Sequence, residues 1–166
     1  YTLNAVDNIP RHSLPHIPAT VARTIAGTLA ALSLNCALAD AVPPHLTVLQ
    51  YHHVSSSTPA STSISPEQFA NHLAWLADND FKVAPLAESL KTIQAGEALP
   101  DKTVAITFDD GYLDNYTTAF PLLRQRNWPF TIFVNAAPHD AGQPGWANWD
   151  QLREMAAAGA SIANHT

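Results

Sequence analysis

Two adjacent carboxylates and a glycine, Asp109-Asp110-Gly111, close the apolar run Thr103-Val104-Ala105-Ile106-Thr107-Phe108. A run of this kind predicts a strand buried on both faces. Side chains alternate along a strand, but at its carboxyl end the turn lets both carboxylates enter the mouth of a sheet, and Gly111 permits a sharp exit. Two carboxylates this close repel when both are ionised. A cation on one relieves the repulsion and leaves the other free to act as a base. The plainer alternative is that both merely cap the next helix. His165, in Asn164-His165-Thr166, ends the next-but-one predicted strand. Alone it reads as a hydrogen-bonded surface residue. Taken together, carboxylate and imidazole at neighbouring strand ends form a partial N/O site for zinc or another divalent ion. Metal-binding histidines often come in pairs about four residues apart, and the chain as given stops one residue after His165.

The elements that must position these residues alternate. Strands are expected at Leu46–Tyr51, Phe81–Ala84, Thr103–Phe108, Phe130–Val134 and from Ala160. Between them, Ser65-Pro66-Glu67-Gln68 has the form of a capping box with proline in the first turn, and Phe69, Leu73 and Leu76 follow on one helical face. Further helices are expected over Leu86–Ala95, ended by Gly96, over Asn115–Arg126 with Pro121 bending or interrupting it, and over Trp149–Ala158. Ser55–Ser63 and Ala136–Ala147 read as loops. Strand, helix, strand, helix predicts an α/β fold with a parallel sheet and right-handed crossovers, either a barrel or an open doubly wound sheet. In both, ligands sit at the carboxyl ends of the strands.

Composition narrows the function classes. The formal net charge is −6, and the eight Lys and Arg residues are scattered. No basic stripe points to nucleic acid, so none is expected as a partner. The single cysteine, Cys36, excludes an internal disulfide framework. Residues 1–23 are an unassigned leader. Residues 24–39 begin with an uncharged, small and apolar run, preceded by Arg11 and Arg23 and followed by Ala37-Leu38-Ala39. That is the layout of a secretory signal peptide; a buried helix is the alternative. The run is short for a membrane span, which needs about 20 apolar residues. An exported chain, periplasmic or extracellular, is therefore expected, with membrane contact only through an uncleaved leader. No Gly-x-Ser-x-Gly elbow and no phosphate-binding glycine loop are present.

At this point the sequence resembles a known family. Thr107-Phe108-Asp109-Asp110-Gly111, followed by Asn164-His165-Thr166 after Gly159-Ala160-Ser161-Ile162-Ala163, is similar to the polysaccharide deacetylases, the NodB-homology or family 4 carbohydrate esterases. Tyr51-His52-His53-Val54, Phe81-Lys82-Val83 with Pro85-Leu86, Leu99-Pro100, Trp128 to Val134 and Trp149 to Met155 also resemble it, over residues 46–166 in all. The resemblance implies a distorted (β/α) barrel that removes N-acetyl or O-acetyl groups from a polysaccharide with a divalent metal, zinc being expected. It implies Asp109 as general base, with Asp110 and His165 as metal ligands. It also places a second metal-binding histidine and a histidine general acid beyond Thr166. On that reading residues 40–166 are the N-terminal portion of the domain, truncated in its metal site and inactive alone.

Several residues are weighed beside these. His52 and His53 end the first strand and could touch substrate, although a structural hydrogen bond is the plainer role. Trp146 could stack on a sugar ring, and core packing is the alternative for it and still more for Trp149. His72 is expected to be packed or half-exposed in its helix, and His139, in the 136–147 loop, could line a groove but is not expected to. Two other readings compete: a truncated remnant that only binds metal or glycan, and a phosphoacceptor signalling domain, against which the leader, His165 and the Trp128-Pro129-Phe130-Thr131 strand all count.

Overall fold

Thr47–Tyr51 (β1) hydrogen-bonds in parallel to Thr103–Asp110 (β5), and the register pairs Tyr51 with Phe108. The computed structural model describes residues 43–165. The leader, the signal-like region 24–39, Cys36 and Thr166 lie outside the described residues. On the path of the sheet β5 is followed by Thr131–Val134 (β6) and Ser161–Asn164 (β7). Lys82–Val83 (β4) pairs with the start of β5. Every one of these pairings is parallel, so the expected α/β fold with a parallel sheet is what forms. His53–Val54 (β2) and Ser63–Ile64 (β3) make a separate two-stranded parallel ribbon. Among the described residues no helix is long and apolar enough to cross a membrane.

Local chemistry accounts for the helices. Pro66–Asp78 (α1) opens on the expected box: Ser65 Oγ accepts from the Gln68 amide at 3.1 Å, and Gln68 Oε1 accepts from the Ser65 amide at 3.2 Å. Its face of Phe69, Leu73 and Leu76 is buried as the spacing requires. Leu86–Gln94 (α2) ends two residues before a left-handed turn at Gly96. Trp149–Ala157 (α5) has a second capping box, Asn148 with Gln151.

Three segments differ from expectation, and in one of them the expected loop Ser55–Ser63 holds a 3-10 turn at Ala60–Thr62 and runs into β3. The helix expected over Asn115–Arg126 is a π turn, Asn115–Ala119, followed by Phe120–Gln125 (α3). Pro121 has no amide to donate and its ring crowds the carbonyl four residues back, and the Phe120 amide reaches five residues back to the Asn115 carbonyl. The expected loop 136–147 begins with a short helix, Ala136–Asp140 (α4), whose Pro138 falls in the first turn, where no intrahelical donor is lost.

The core gathers around β5, where Val104 to Thr107 and Phe108 are all buried. Phe108 touches three rings, Tyr51 at 5.6 Å, Phe69 at 5.9 Å and Phe130 at 5.8 Å between centroids. This aromatic cluster clamps α1 and β1 onto the strand that ends in Asp109 and Asp110. Phe69→Ala should therefore lower stability by about 3–5 kcal/mol, and Ser65→Ala by about 1 kcal/mol through loss of the cap, both read from urea denaturation.

Candidate active site

The register carries the site residues to one rim. Asp109 lies opposite Phe133 and Asp110 opposite Val134, and Val134 lies opposite Asn164. One step further along the chain come Gly111, Asn135 and His165, and His52 follows Tyr51 on the other side of β5. The His165 amide donates to the Val134 carbonyl at 2.9 Å, which extends the ladder to the histidine itself.

Asp110 has φ 72° and Gly111 has φ 78°, two successive left-handed residues. Asp is among the few residues that tolerate this region. Gly111 has a second reason to be glycine: a Cβ there would lie 2.9 Å from His139 Cε1, His139 Nε2 and Val134 Cγ1. His139 is 3% exposed and does not line a groove. Its Nδ1 faces the Ala147 carbonyl at 2.5 Å and its Nε2 the Asp110 carbonyl at 3.2 Å. The ring is thus packed beneath the turn that aims Asp110, because two carbonyls and the bare Gly111 backbone enclose it.

His165 Nε2 stands 3.7 Å from Asp109 Oδ2 and 3.8 Å from Asp110 Oδ1, and His52 Nε2 stands 3.8 Å from Asp109 Oδ2. These gaps exceed direct hydrogen-bond length. Gln50 donates its amide to Asp109 Oδ2, and Asn135 Nδ2 donates to Asp110 Oδ1 at 3.1 Å. Burial first, then the interaction with the Asp110 carboxylate and the charge of Asp114, push the Tyr112 hydroxyl above the usual tyrosine range. Tyr112 therefore remains a donor at neutral pH. The carboxylates are mostly covered, at 14% and 19% exposure, and the imidazoles of His165 and His52 are more open, at 30% and 35%. The rim accordingly presents its two imidazoles to incoming molecules and keeps its carboxylates behind them.

The donor set suits a divalent ion in part. Ligand atoms around a tetrahedral zinc stand roughly 3.3 Å apart, close to the separation of Asp110 Oδ1 and His165 Nε2. Among the described residues no group of three or more metal-capable side chains closes around one point.

Of the residues singled out in the sequence, Asp109, Asp110, His165 and His52 come together. His53 does not face them: its Nδ1 meets Asp114 Oδ2 at 2.7 Å and its ring stacks on Tyr112 at 3.6 Å. Trp146 packs on Tyr112 at 4.6 Å, beside the rim. Trp149 is half-buried and donates from its ring to Asp140. His72 is exposed at α1, with Nδ1 3.2 Å from the Tyr51 hydroxyl. Gln50, Asn135 and the Asp114-Asn115 pair were not singled out from sequence. Only Asn135 carried a signal, as the polar residue directly after a strand that neighbours the carboxylates.

Comparison with known proteins agrees with this fold. Residues 96–166 match the family model described as polysaccharide deacetylase. The protein YxkH of Bacillus subtilis is 35% identical over 124 residues, covering 75% of this chain and 43% of YxkH. The poly-beta-1,6-N-acetyl-D-glucosamine N-deacetylase of Escherichia coli K12 is 33% identical over 119 residues, covering 63% of this chain and 17% of that enzyme. The chain thus spans less than half the length of these curated relatives. Among solved structures, IcaB from Ammonifex degensii superposes with a TM-score of 0.67 at 35% identity, over 74% of this chain and 53% of that one. The Streptococcus pyogenes deacetylase PplD superposes with a TM-score of 0.68 at 25% identity, over 75% and 57%.

Gly111→Ala should lose more than about 1 kcal/mol of stability, since the left-handed φ and the contact with His139 both oppose a side chain. It should also weaken divalent-ion binding by displacing Asp110; thermal melting and ion titration by calorimetry read the two effects separately.

Proposed function

The chain belongs to the polysaccharide deacetylase family, and from that premise we propose that it carries the catalytic base and part of the metal site of a metal-dependent hydrolase that removes acetyl groups from a polysaccharide. The observation that carries this reading is the convergence of Asp109, Asp110, His165 and His52 at the carboxyl ends of parallel strands.

Asp110 and His165 are the residues that would hold the ion, and zinc matches their mixed oxygen and nitrogen donors. When bound, such an ion polarises an acetyl carbonyl and lowers the pKa of water. Asp109 takes the proton of the attacking water. Gln50 holds one oxygen of that carboxylate, which fixes the direction of the other. Asn135 does the same for Asp110. The departing amine needs a proton, and the position of the His52 imidazole, 3.8 Å from Asp109, supports assigning it that role. The family resemblance puts a histidine general acid beyond Thr166; His52 is proposed as a candidate within the described residues.

The substrate class rests on chemistry and on the relatives. Acetamides are poor electrophiles and need a combination of ion, base and acid, which is the reading proposed for the residues of this rim. A poly-N-acetylglucosamine chain is favoured by the name of the Escherichia coli relative. Trp146 against Tyr112 offers an aromatic face at the rim on which a sugar ring can rest. Export follows from the signal-like region at 24–39 and from the size of a polymeric substrate.

The test is acetate release from N-acetylglucosamine oligomers by the full-length protein, with zinc affinity measured in parallel. Asp109→Asn should keep zinc and lose turnover by about 10²–10⁴-fold, the range of a general base. Asp110→Ala should lose zinc affinity and turnover together. Wild-type turnover in Asp109→Asn would remove its role as base.

A further inference from the structure

Three successive residues at the end of β1 are each held by one short stretch of chain. Asn115 Nδ2 donates to the His52 carbonyl at 2.7 Å. Asp114 Oδ2 meets His53 Nδ1 at 2.7 Å, and Asp114 Oδ1 accepts from the Val54 amide at 3.0 Å. Asn115 Nδ2 also reaches Asp114 Oδ1 at 3.2 Å, which ties the two side chains to each other. His53 and Val54 pair only with the two-residue β3 and not with the main sheet. The main sheet's ladder therefore stops short of His52, whose own backbone is held by Asn115.

Two features of this grip carry a cost that packing alone does not explain. Asn115 is fully buried, and its Oδ1 has no partner. A buried polar atom left unpaired costs about 1–3 kcal/mol. An apolar residue of similar size would avoid that cost but could not donate to His52. The chain also makes a π turn from Asn115, a rare geometry that occurs mostly as single turns and frequently at functional sites.

We propose that Asp114 and Asn115 are positioning residues for the deacetylation, holding the His52–His53–Val54 segment so that the His52 ring stands beside Asp109. This rests on the functional reading above and adds the groups that make its acid effective. A base and an acid on different strands serve one reacting carbon only if their separation is held; a shift near 1 Å can cost about a hundredfold in rate. His53, gripped by Asp114 and stacked on Tyr112, is the spacer that links the acid's segment to the chain leaving Asp110. Asp114 and Asn115 touch neither the ion's ligands nor the reacting atoms, and they act through His52.

The choice of leaving group distinguishes positioning of an acid from general damage. Amide hydrolysis expels an amine that must be protonated. Hydrolysis of 4-nitrophenyl acetate expels a phenolate that leaves without a proton. In the full-length protein, Asp114→Asn keeps the side-chain size and an acceptor for Val54 but removes the acceptor facing His53; Asn115→Ala removes the donor to His52. Both should lower kcat on an N-acetylglucosamine oligomer by at least about tenfold with KM unchanged. Both should keep aryl acetate hydrolysis within about twofold of wild type, with zinc affinity unchanged. Equal losses on the two substrates, no loss on either, or collapse of both variants in a melting experiment would overturn the proposal. Failure of the wild type to hydrolyse either substrate would instead overturn the functional reading on which it rests.

Discussion

The parallel hydrogen-bond ladder between β5 and its neighbours is the constraint on which the rest of the structure depends. Parallel pairing sends every strand in the same direction, so all carboxyl ends emerge on one side. Residues far apart in sequence, at positions 52, 109, 110, 135 and 165, then meet at one rim. No single contact among them could assemble the group; the gaps between imidazoles and carboxylates are too long to be direct hydrogen bonds. The ladder brings them close, and the aromatic cluster around Phe108 keeps α1 and β1 seated against it.

What the ladder leaves undetermined is the aim of each side chain, and that comes from the turn after β5. Two left-handed residues in succession reverse the chain directly after the carboxylates. The buried His139 fits against the bare backbone of Gly111 and faces the carbonyl of Asp110. The loop that follows is tied to the same turn, with Ala147 donating to the Gly111 carbonyl and Leu113 to the Gly145 carbonyl. Left-handed conformations at non-glycine residues are unfavourable in isolation and persist where surrounding contacts over-determine them. Here those contacts come from side chains and carbonyls at the carboxyl ends of β5 and β6 and in the loop before α5.

The two adjacent carboxylates share a backbone but have different surroundings. Asp109 receives Gln50 from β1 and has imidazoles of His52 and His165 beside it. Asp110 receives Asn135 from the end of β6, and His165 lies beside it. Neutral donors occupy some lone pairs of each acid and leave others directed at the rim. This asymmetry gives two neighbouring residues of one type different surroundings, which is the basis for proposing separate roles for them.

Much of this was legible from the amino acids. Alternation of apolar strands with capped helices dictates a parallel α/β fold, because period and caps are local properties: the Ser65–Gln68 box and the Phe69–Leu73–Leu76 face appear where the spacing places them. Asp109, Asp110 and His165 were identifiable because each ends an apolar run. Tertiary structure alone decided which of His52 and His53 turns toward the carboxylates, since adjacent residues at a strand end point in different directions and only the Asp114 grip on His53 settles the matter. It alone buried His139, a polar residue in an apparent loop, because its two carbonyl partners come from Asp110 and Ala147. It also broke the expected helix at Asn115 into a π turn, where the buried amide reaches back to His52. Elements follow from neighbours in the chain, and sequence displays those directly. The aim of a side chain follows from neighbours in space, and the chain has to fold before they exist.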